Sequence, residues 1–482
     1  MLRDFLKEGG LYTFSSLLTK GVSLLLLPFY TTYFEPSDNG IIDILLVFGA
    51  FLNAIVCLQL NQGLGRYVAE PSYDHDRKRD LASTVIWFVA GAYIIVCGLI
   101  VLFPGIFIRM LSNEEITIST NTFRLSIVSI AVNAMFYLLG VYMRFLRKSV
   151  EFAVMSFTHA ILNIALTLWF VLVFDSGING IYYASIIVAP MIVAVQFYMI
   201  RRELTAKFKS HLLGKALQFS FPLVPASISY MVLDFIDRIY IKEFLSFADE
   251  GVYTIGAKFA SGISIIIVGF SAALAPLIYE RHKDEYTLHQ LGRMFRLFIA
   301  IGSGGVLLLS LFSYECLYIF TQPEYFAAGE IMPILYTSIL ITGLGMFSPG
   351  LHIREKTKTV ALLVIVSALL NVGLNYLLIS EFKLPGAASA TLISVFVNNF
   401  SLFVMSRKYY SFPVDPIRTL GFVLLFAIAM YFGCYWLPTQ GLPTGTAILY
   451  KVIIVCGYAL ALLWAKMISF SSLNKLRKPR EE

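Results

Sequence analysis

The sequence predicts an all-α polytopic membrane protein of about fourteen transmembrane helices, built as two parallel six-helix repeats plus two C-terminal helices. Three observations predict it. Only 14% of the 482 residues are charged, while 58% are hydrophobic and 15% aromatic. Mean hydropathy is +0.76, and a soluble domain would carry about 25% charged residues. Apolar runs of roughly 20 residues, long enough to cross a bilayer, recur along the whole chain. Matched polar and glycine motifs recur as well, at a nearly constant offset.

The expected helices are 11–33, 40–65, 82–108, 118–146, 151–174, 178–200, 216–243, 251–279, 293–320, 330–353, 359–380, 386–406, 417–437 and 446–468. Arg3 and Lys7 precede a first run of about 20 residues, too long for a signal-peptide core, so it reads as a retained helix. With the N-terminus inside, 29 of the 37 Lys and Arg fall in inner segments and 4 at outer ends. Such a split follows the positive-inside rule and places both termini in the cytoplasm, with an even number of helices.

The repeat follows from four matches. Tyr30, Phe34 and Gly40 recur as Tyr240, Phe244 and Gly251. Gly140 with Arg144 and Lys148 recurs as Gly350 with Arg354 and Lys358. Leu162-Asn163 recurs as Leu370-Asn371, and Gly180 with Ala184 as Gly386 with Ala390. About six helices separate equivalent positions, an even number, so both halves share one topology about an axis along the membrane normal. The expected division is 1–210, 211–410 and an appended pair of helices with a basic tail, 411–482. Gly180-x-x-x-Ala184 and Gly386-x-x-x-Ala390 let helix backbones approach closely, a structural role.

Several function classes are excluded or left without support. The net charge of +7 is spread over many short loops, which argues for membrane orientation and against nucleic acid. The five cysteines stand singly in apolar runs without metal or disulfide spacing. There is no Gly-rich phosphate loop and no large extramembrane segment for a catalytic domain. No cofactor is expected, and coupling to protons or sodium stays open.

The polar residues inside the apolar runs carry the functional signal, because intramembrane charge costs several kcal/mol and marks pathways or pairs. Lys20 lies near the middle of the first helix; Arg124 and Lys258 lie about two turns inside the ends of theirs. Arg66 closes the second helix behind Asn53, Gln59, Asn61 and Gln62. These four cations could line a cavity that holds a polyanion such as a diphosphate; the alternative for Arg66 and Arg124 is to anchor their helices at the interface, and for Lys20 and Lys258 to neutralise buried acids. Asp234 and Arg238 have the i, i+4 spacing of an intrahelical ion pair. Asp237 then lacks a partner on its own helix, and with Asp43 and Glu315 it is a candidate coupling or structural group.

These residues resemble those of the polysaccharide-biosynthesis (O-antigen, lipid-linked oligosaccharide) flippases of the multidrug/oligosaccharidyl-lipid/polysaccharide exporter superfamily. The stretch from Lys20-Gly21 through Pro28, Tyr30 and Pro36 to Gly40 is similar to that family's opening. Asn61-Gln-Gly-Leu-Gly-Arg66-Tyr67 resembles the end of its second helix. Pro222, Asp237-Arg238, Gly251-Val-Tyr253 and Lys258 resemble its seventh and eighth helices. The resemblance covers about residues 5–410. It implies transfer of an undecaprenyl-diphosphate-linked oligosaccharide to the outer leaflet of a bacterial cytoplasmic membrane by alternating access. Lys20, Arg66 and Lys258, with Arg124 and Asp237 less directly, would be the cavity residues. Expected partners are the lipid-linked oligosaccharide, membrane lipid, and a polysaccharide polymerase or glycosyltransferases. The rival reading is a cation-coupled multidrug antiporter of the same fold.

The charge split generates a direct test. A reporter active only outside the cytoplasm should be silent when fused after Phe412 and active when fused after Gly441; the reverse pattern would overturn the topology.

Overall fold

Capping chemistry and apolar length set where the helices begin and end. The computed structural model describes residues 26–68, 72–113, 116–146, 148–281, 285–354, 356–440 and 443–464, and their regular structure is entirely helical. Twelve helices among the described residues are long and apolar enough to span a membrane. The longest, Thr357–Arg407, is interrupted by non-helical Lys383 (φ 53°, ψ −132°) just before Pro385 and so comprises two spans. Helix α1 (Leu27–Tyr33) is the end of the first expected span, whose start lies outside the described residues. The described residues thus hold thirteen of the fourteen expected spans and the end of the first, and the chain is a multi-pass membrane protein.

The chain forms two compact units, Met1–Thr254 and Ile255–Glu482. The repeat boundary at 210/211 concerns repeated sequence; the boundary between compact units falls later.

In the first unit, α2 (Pro36–Cys57) starts at a capping box in which Glu35 and Asp38 exchange side-chain and backbone hydrogen bonds, with Pro36 at its first turn. The expected helix 40–65 is divided: Leu58 and Gln59 both adopt left-handed φ (46° and 56°), and α3 (Leu60–Val68) restarts beyond them. Neither residue is glycine, so the break holds local backbone strain. The expected helix 82–108 is likewise two, α4 (His75–Leu102) and α5 (Pro104–Leu111). Asp74 caps α4 by accepting the Arg77 N–H at 2.9 Å. Helices α6 (Thr120–Phe145) and α7 (Ser149–Phe174) both pack along α8 (Asn179–Ile200), and α4 packs on α6. Helix α9 (Ser210–Ser220) lies on α3, and α10 (Val224–Phe244) on α2. A core shared by α2, α3, α4, α6, α8 and α9 includes Leu81, Val85, Val89, Phe123 and Ile127. The first half of α11 (Phe247–Ala260) completes the unit.

The second unit contains the rest of α11, α12 (Ser264–Arg281), α13 (Glu285–Leu311), α14 (Ser313–Phe320), α15 (Ala328–Gly343) and the kinked α16 (Thr357–Arg407). Helices α13 and α16 both pack on α15. Gly180 and Gly386, matched in the sequence repeat, occupy corresponding places in their units. A Cβ on Gly180 would sit 2.9 Å from the Val171 side chain, and one on Gly386 would strike the Leu378 carbonyl. Each glycine thus lets a helix pass closely back along its predecessor. The last helices, α17 (Pro416–Met430) and α18 (Thr444–Trp464), pack on α13 through Leu307, Leu311, Phe422, Tyr458 and Leu462. The Tyr458 hydroxyl donates to Ser303 at 2.7 Å.

Glu315, which has no evident partner in its own stretch of sequence, pairs with Lys451 of α18 at 2.6 Å. Removing either member leaves a partly buried charge beside hydrocarbon, on the order of 1–3 kcal/mol between the exposed and buried limits. Glu315→Ala and Lys451→Ala should each lower the melting temperature of the purified protein. The exchanged pair Glu315→Lys/Lys451→Glu should recover part of the loss, and additive losses would show that the pair contributes nothing.

Candidate functional site

The site grows from a backbone crossing. Helices α2 and α11 occupy equivalent places in the repeat, and they meet near their N-terminal ends. A Cβ on Gly40 would strike the Phe247 carbonyl, and a Cβ on Gly251 would strike the Pro36 carbonyl. The two contacts mirror one another: residues 36 and 40 stand to 247 and 251 at a single offset. Only glycine at both positions allows two backbones to approach so closely.

Charged side chains surround this crossing. Asp43 (6% exposed) on α2, Asp237 (3%) on α10 and Glu250 (0%) on α11 are all buried. The guanidinium of Arg238 pairs with Asp43, and its ring neighbour is Phe235, 5.0 Å from the centroid. Asp237 accepts the Arg238 backbone N–H at 2.9 Å and the Tyr253 hydroxyl. Thr254 donates to Glu250 Oε1 at 2.7 Å. One helical turn beyond Arg238, Lys242 (2% exposed) reaches the carbonyls of Met110, Leu111 and Ser112 at 3.5, 3.2 and 3.4 Å. It thereby caps the C-terminus of α5, where a cation meets the negative end of the helix dipole.

This geometry corrects one expectation. Arg238 does not rely on Asp234 four residues earlier; it reaches across to Asp43, while Asp234 is exposed. The buried acid on another helix wins because an ion pair in hydrocarbon is worth most where water is absent.

Of the expected site residues, Asp43, Asp237 and Arg238 are brought together. Arg66 is exposed at the end of α3, its guanidinium 5.2 Å from the Phe219 ring. Arg124 is exposed and its Nε donates to the Val101 carbonyl at 3.1 Å, near the end of α4. Lys258 is half-buried on α11, two turns beyond Glu250. Lys20 lies outside the described residues. Glu250, Tyr253, Thr254 and Lys242 are the additions that the sequence reading missed. For Glu250 a signal existed: the Gly40–Gly251 match places it opposite Asn39, inside a helix.

Among the described residues no cluster of three or more His, Cys, Asp or Glu has metal-holding geometry. In the second unit, Asn371, Asn375, Asn398 and Asn399 form a buried amide set on α16.

Removing Arg238 should be severe, since Asp43 would remain buried without its cation, a loss of about 3–5 kcal/mol. Arg238→Ala should therefore sharply reduce folded protein, measured by size-exclusion and thermal melting. The neutral pair Arg238→Gln/Asp43→Asn should restore much of it; no restoration would mean the arginine is needed for something other than Asp43.

Comparison with known proteins agrees with this architecture. The profile of the polysaccharide biosynthesis protein family matches residues 5–282, and the MatE profile matches residues 222–377. An uncharacterized membrane protein of Haemophilus influenzae is 23% identical over 240 residues, which is 47% of this chain and 58% of that relative. The matched segment thus spans less than two thirds of the relative's length. Among solved structures, the lipid II flippase MurJ in an inward closed conformation is similar at TM-score 0.74 and 15% identity, over 95% of this chain and 99% of MurJ. An inward-facing multidrug-resistance MATE transporter is similar at TM-score 0.65 and 16% identity, over 81% of this chain and 94% of that one. With more than half its length matched by that profile, the chain belongs to the polysaccharide biosynthesis protein family.

Proposed function

We propose that this protein is a flippase that carries an undecaprenyl-diphosphate-linked oligosaccharide from the inner to the outer leaflet of a bacterial cytoplasmic membrane, by alternating access. The observation that carries the reading is the family match over residues 5–282, which includes Arg66, the Asp43–Arg238 pair and Lys258. The fold shared with a lipid II flippase supports it, since lipid II is itself a lipid-linked substrate. On this reading six-helix lobes, 1–210 and 211–410, move against each other, 411–482 is an appendage, and both termini are cytoplasmic. A polymerase and glycosyltransferases would be its partners.

The physical task also fits. A sugar diphosphate must be shielded from hydrocarbon while the polyprenyl tail stays in lipid. Arg66 offers bidentate geometry to phosphate oxygens, and Lys20 and Lys258 offer compact ammonium groups. The second reading, a cation-coupled multidrug antiporter, draws on the MatE match over residues 222–377.

In cells lacking the chromosomal gene, surface glycan should return with the wild-type protein. Arg66→Ala and Lys258→Ala should each cut export about ten- to a hundredfold, as expected for losing one charge-assisted hydrogen bond of about 1.5–3 kcal/mol. Lys258→Arg should retain more than Lys258→Ala, with membrane protein level measured in the same cells. Normal glycan in the null strain together with a change in drug tolerance would favour the antiporter.

A further inference from the structure

The first unit holds a polar cavity without a charge in its wall. About 430 Å³ in volume, it lies between α2, α6, α7 and α8, and exposed Leu46 and Tyr137 border it, so it reaches the protein surface. Its lining includes Asn53, Ser129, Asn133, Asn163, Tyr182 and Ser185, but no Asp, Glu, Lys, Arg or His. Part of this lining is held in place by hydrogen bonds within the unit. Ser129 donates to the Ser185 hydroxyl at 2.8 Å, and Asn133 Nδ2 donates to that hydroxyl and to the Ser129 carbonyl, both at 2.8 Å. Asn53 Oδ1 accepts the Tyr93 hydroxyl at 2.6 Å. The rest is uncommitted. Tyr182 is only 8% exposed, yet its hydroxyl has no hydrogen-bond partner. Half-buried Asn163, one of the residues matched in the sequence repeat, likewise has no partner for its amide among the described residues.

This lining selects a class of ligand by what it lacks. An ion entering the cavity would lose its hydration and meet no countercharge. A wholly apolar molecule would leave amides and hydroxyls facing it unsatisfied. A neutral molecule dense in hydroxyl groups avoids both losses, because Asn, Ser and Tyr can each donate to it and accept from it. Its C–H faces can rest on the tyrosine rings and on the aliphatic wall of Ile42, Leu45 and Ile130. The volume lies within the range of small-molecule sites, about 300–1,000 Å³.

We propose that this cavity binds one uncharged sugar residue, with Tyr182 and Asn163 hydrogen-bonded to its hydroxyl groups. The proposal rests on the flippase reading for the source of the sugar, which is the head group of the lipid-linked oligosaccharide. It separates two tasks, since Arg66 and Arg124, candidates for the diphosphate, line no part of the cavity. The consequence is specificity: a neutral sugar is accepted here, and a uronic acid is not, because its carboxylate finds no cation.

Binding of three radiolabelled probes to the purified full-length protein in detergent micelles tests this. The probes are undecaprenyl diphosphate alone, the same lipid carrying one N-acetylglucosamine, and the same lipid carrying one glucuronic acid. The N-acetylglucosamine probe should bind about five- to tenfold tighter than either of the others, the size of one or two hydrogen bonds between uncharged groups. Tyr182→Phe and Asn163→Ala should each remove much of that gain, while affinity for the bare diphosphate and the melting temperature stay unchanged. A purely structural role for these residues would not single out the sugar-bearing probe. Equal binding of all three probes, or an equal gain from glucuronic acid, would overturn the proposal, leave a merely water-filled cavity, and leave the flippase reading standing. Binding of none of the three would overturn the flippase reading, and this site with it. Should either variant fail to fold, the three-probe comparison on the wild-type protein decides.

Discussion

A buried arginine constrains the first unit more than any other single group. Arg238 sits on a helix that must cross hydrocarbon, and a guanidinium there needs an anion and hydrogen-bond acceptors close at hand. Its anion is Asp43 on α2, so the register of α10 against α2 is set by one ion pair. Lys242 is four residues further along the same face and is held by the carbonyl end of α5. Two cations one turn apart thus fix the end of α10 to two separate elements. Asp234, one turn earlier on that face, is exposed and takes no part in the pair.

The repeat supplies the backbone frame, and departures from the repeat supply the chemistry. Pro36 and Gly40 correspond to Phe247 and Gly251, and the glycine contacts are reciprocal. At the same offset, Asn39 corresponds to Glu250 and Asp43 to Thr254. Each helix therefore carries one acid and one neutral polar residue, in opposite order one turn apart. Strict symmetry would have placed like groups opposite each other at both levels. The exchange puts Glu250 near Asp43 and leaves Arg238 to only one of the two halves.

Most of the architecture was legible because it depends on quantities a sequence displays: length of apolar runs and repeated spacing. The helix breaks were not. Leu58 and Gln59 hold left-handed φ with no glycine to announce it, and only the amide-rich stretch around them hinted at irregularity. The site was half legible. Asp43, Asp237 and Arg238 stood out as charges in apolar runs, but the partner of Arg238 did not. Spacing arguments compare residues along one helix, and there Asp234 is the natural choice; the acid that holds Arg238 is almost two hundred residues away. Glu250 was hidden for a related reason. Asp249-Glu250 ends an acidic connection in sequence, yet α11 begins at Phe247 and draws Glu250 fully inside.

Neutralisation also separates the cations by what they can still do. Arg238 is engaged by Asp43, Lys451 by Glu315, Lys242 by helix-end carbonyls, and Arg124 by the Val101 carbonyl. A charge engaged in this way offers less to a passing anion, because binding a ligand would first require breaking a contact that keeps the helices assembled. Arg66 is of another kind: it is exposed, with its guanidinium carbon 5.2 Å from the Phe219 ring centroid. Depth alone was therefore an incomplete guide to an available charge, since Arg238 and Lys242, buried in the first unit, are already engaged by Asp43 and by helix-end carbonyls. On the proposed reading, a diphosphate is better met by an exposed cation such as Arg66, which lies beside an aromatic ring and has no acidic ion-pair partner among the described residues.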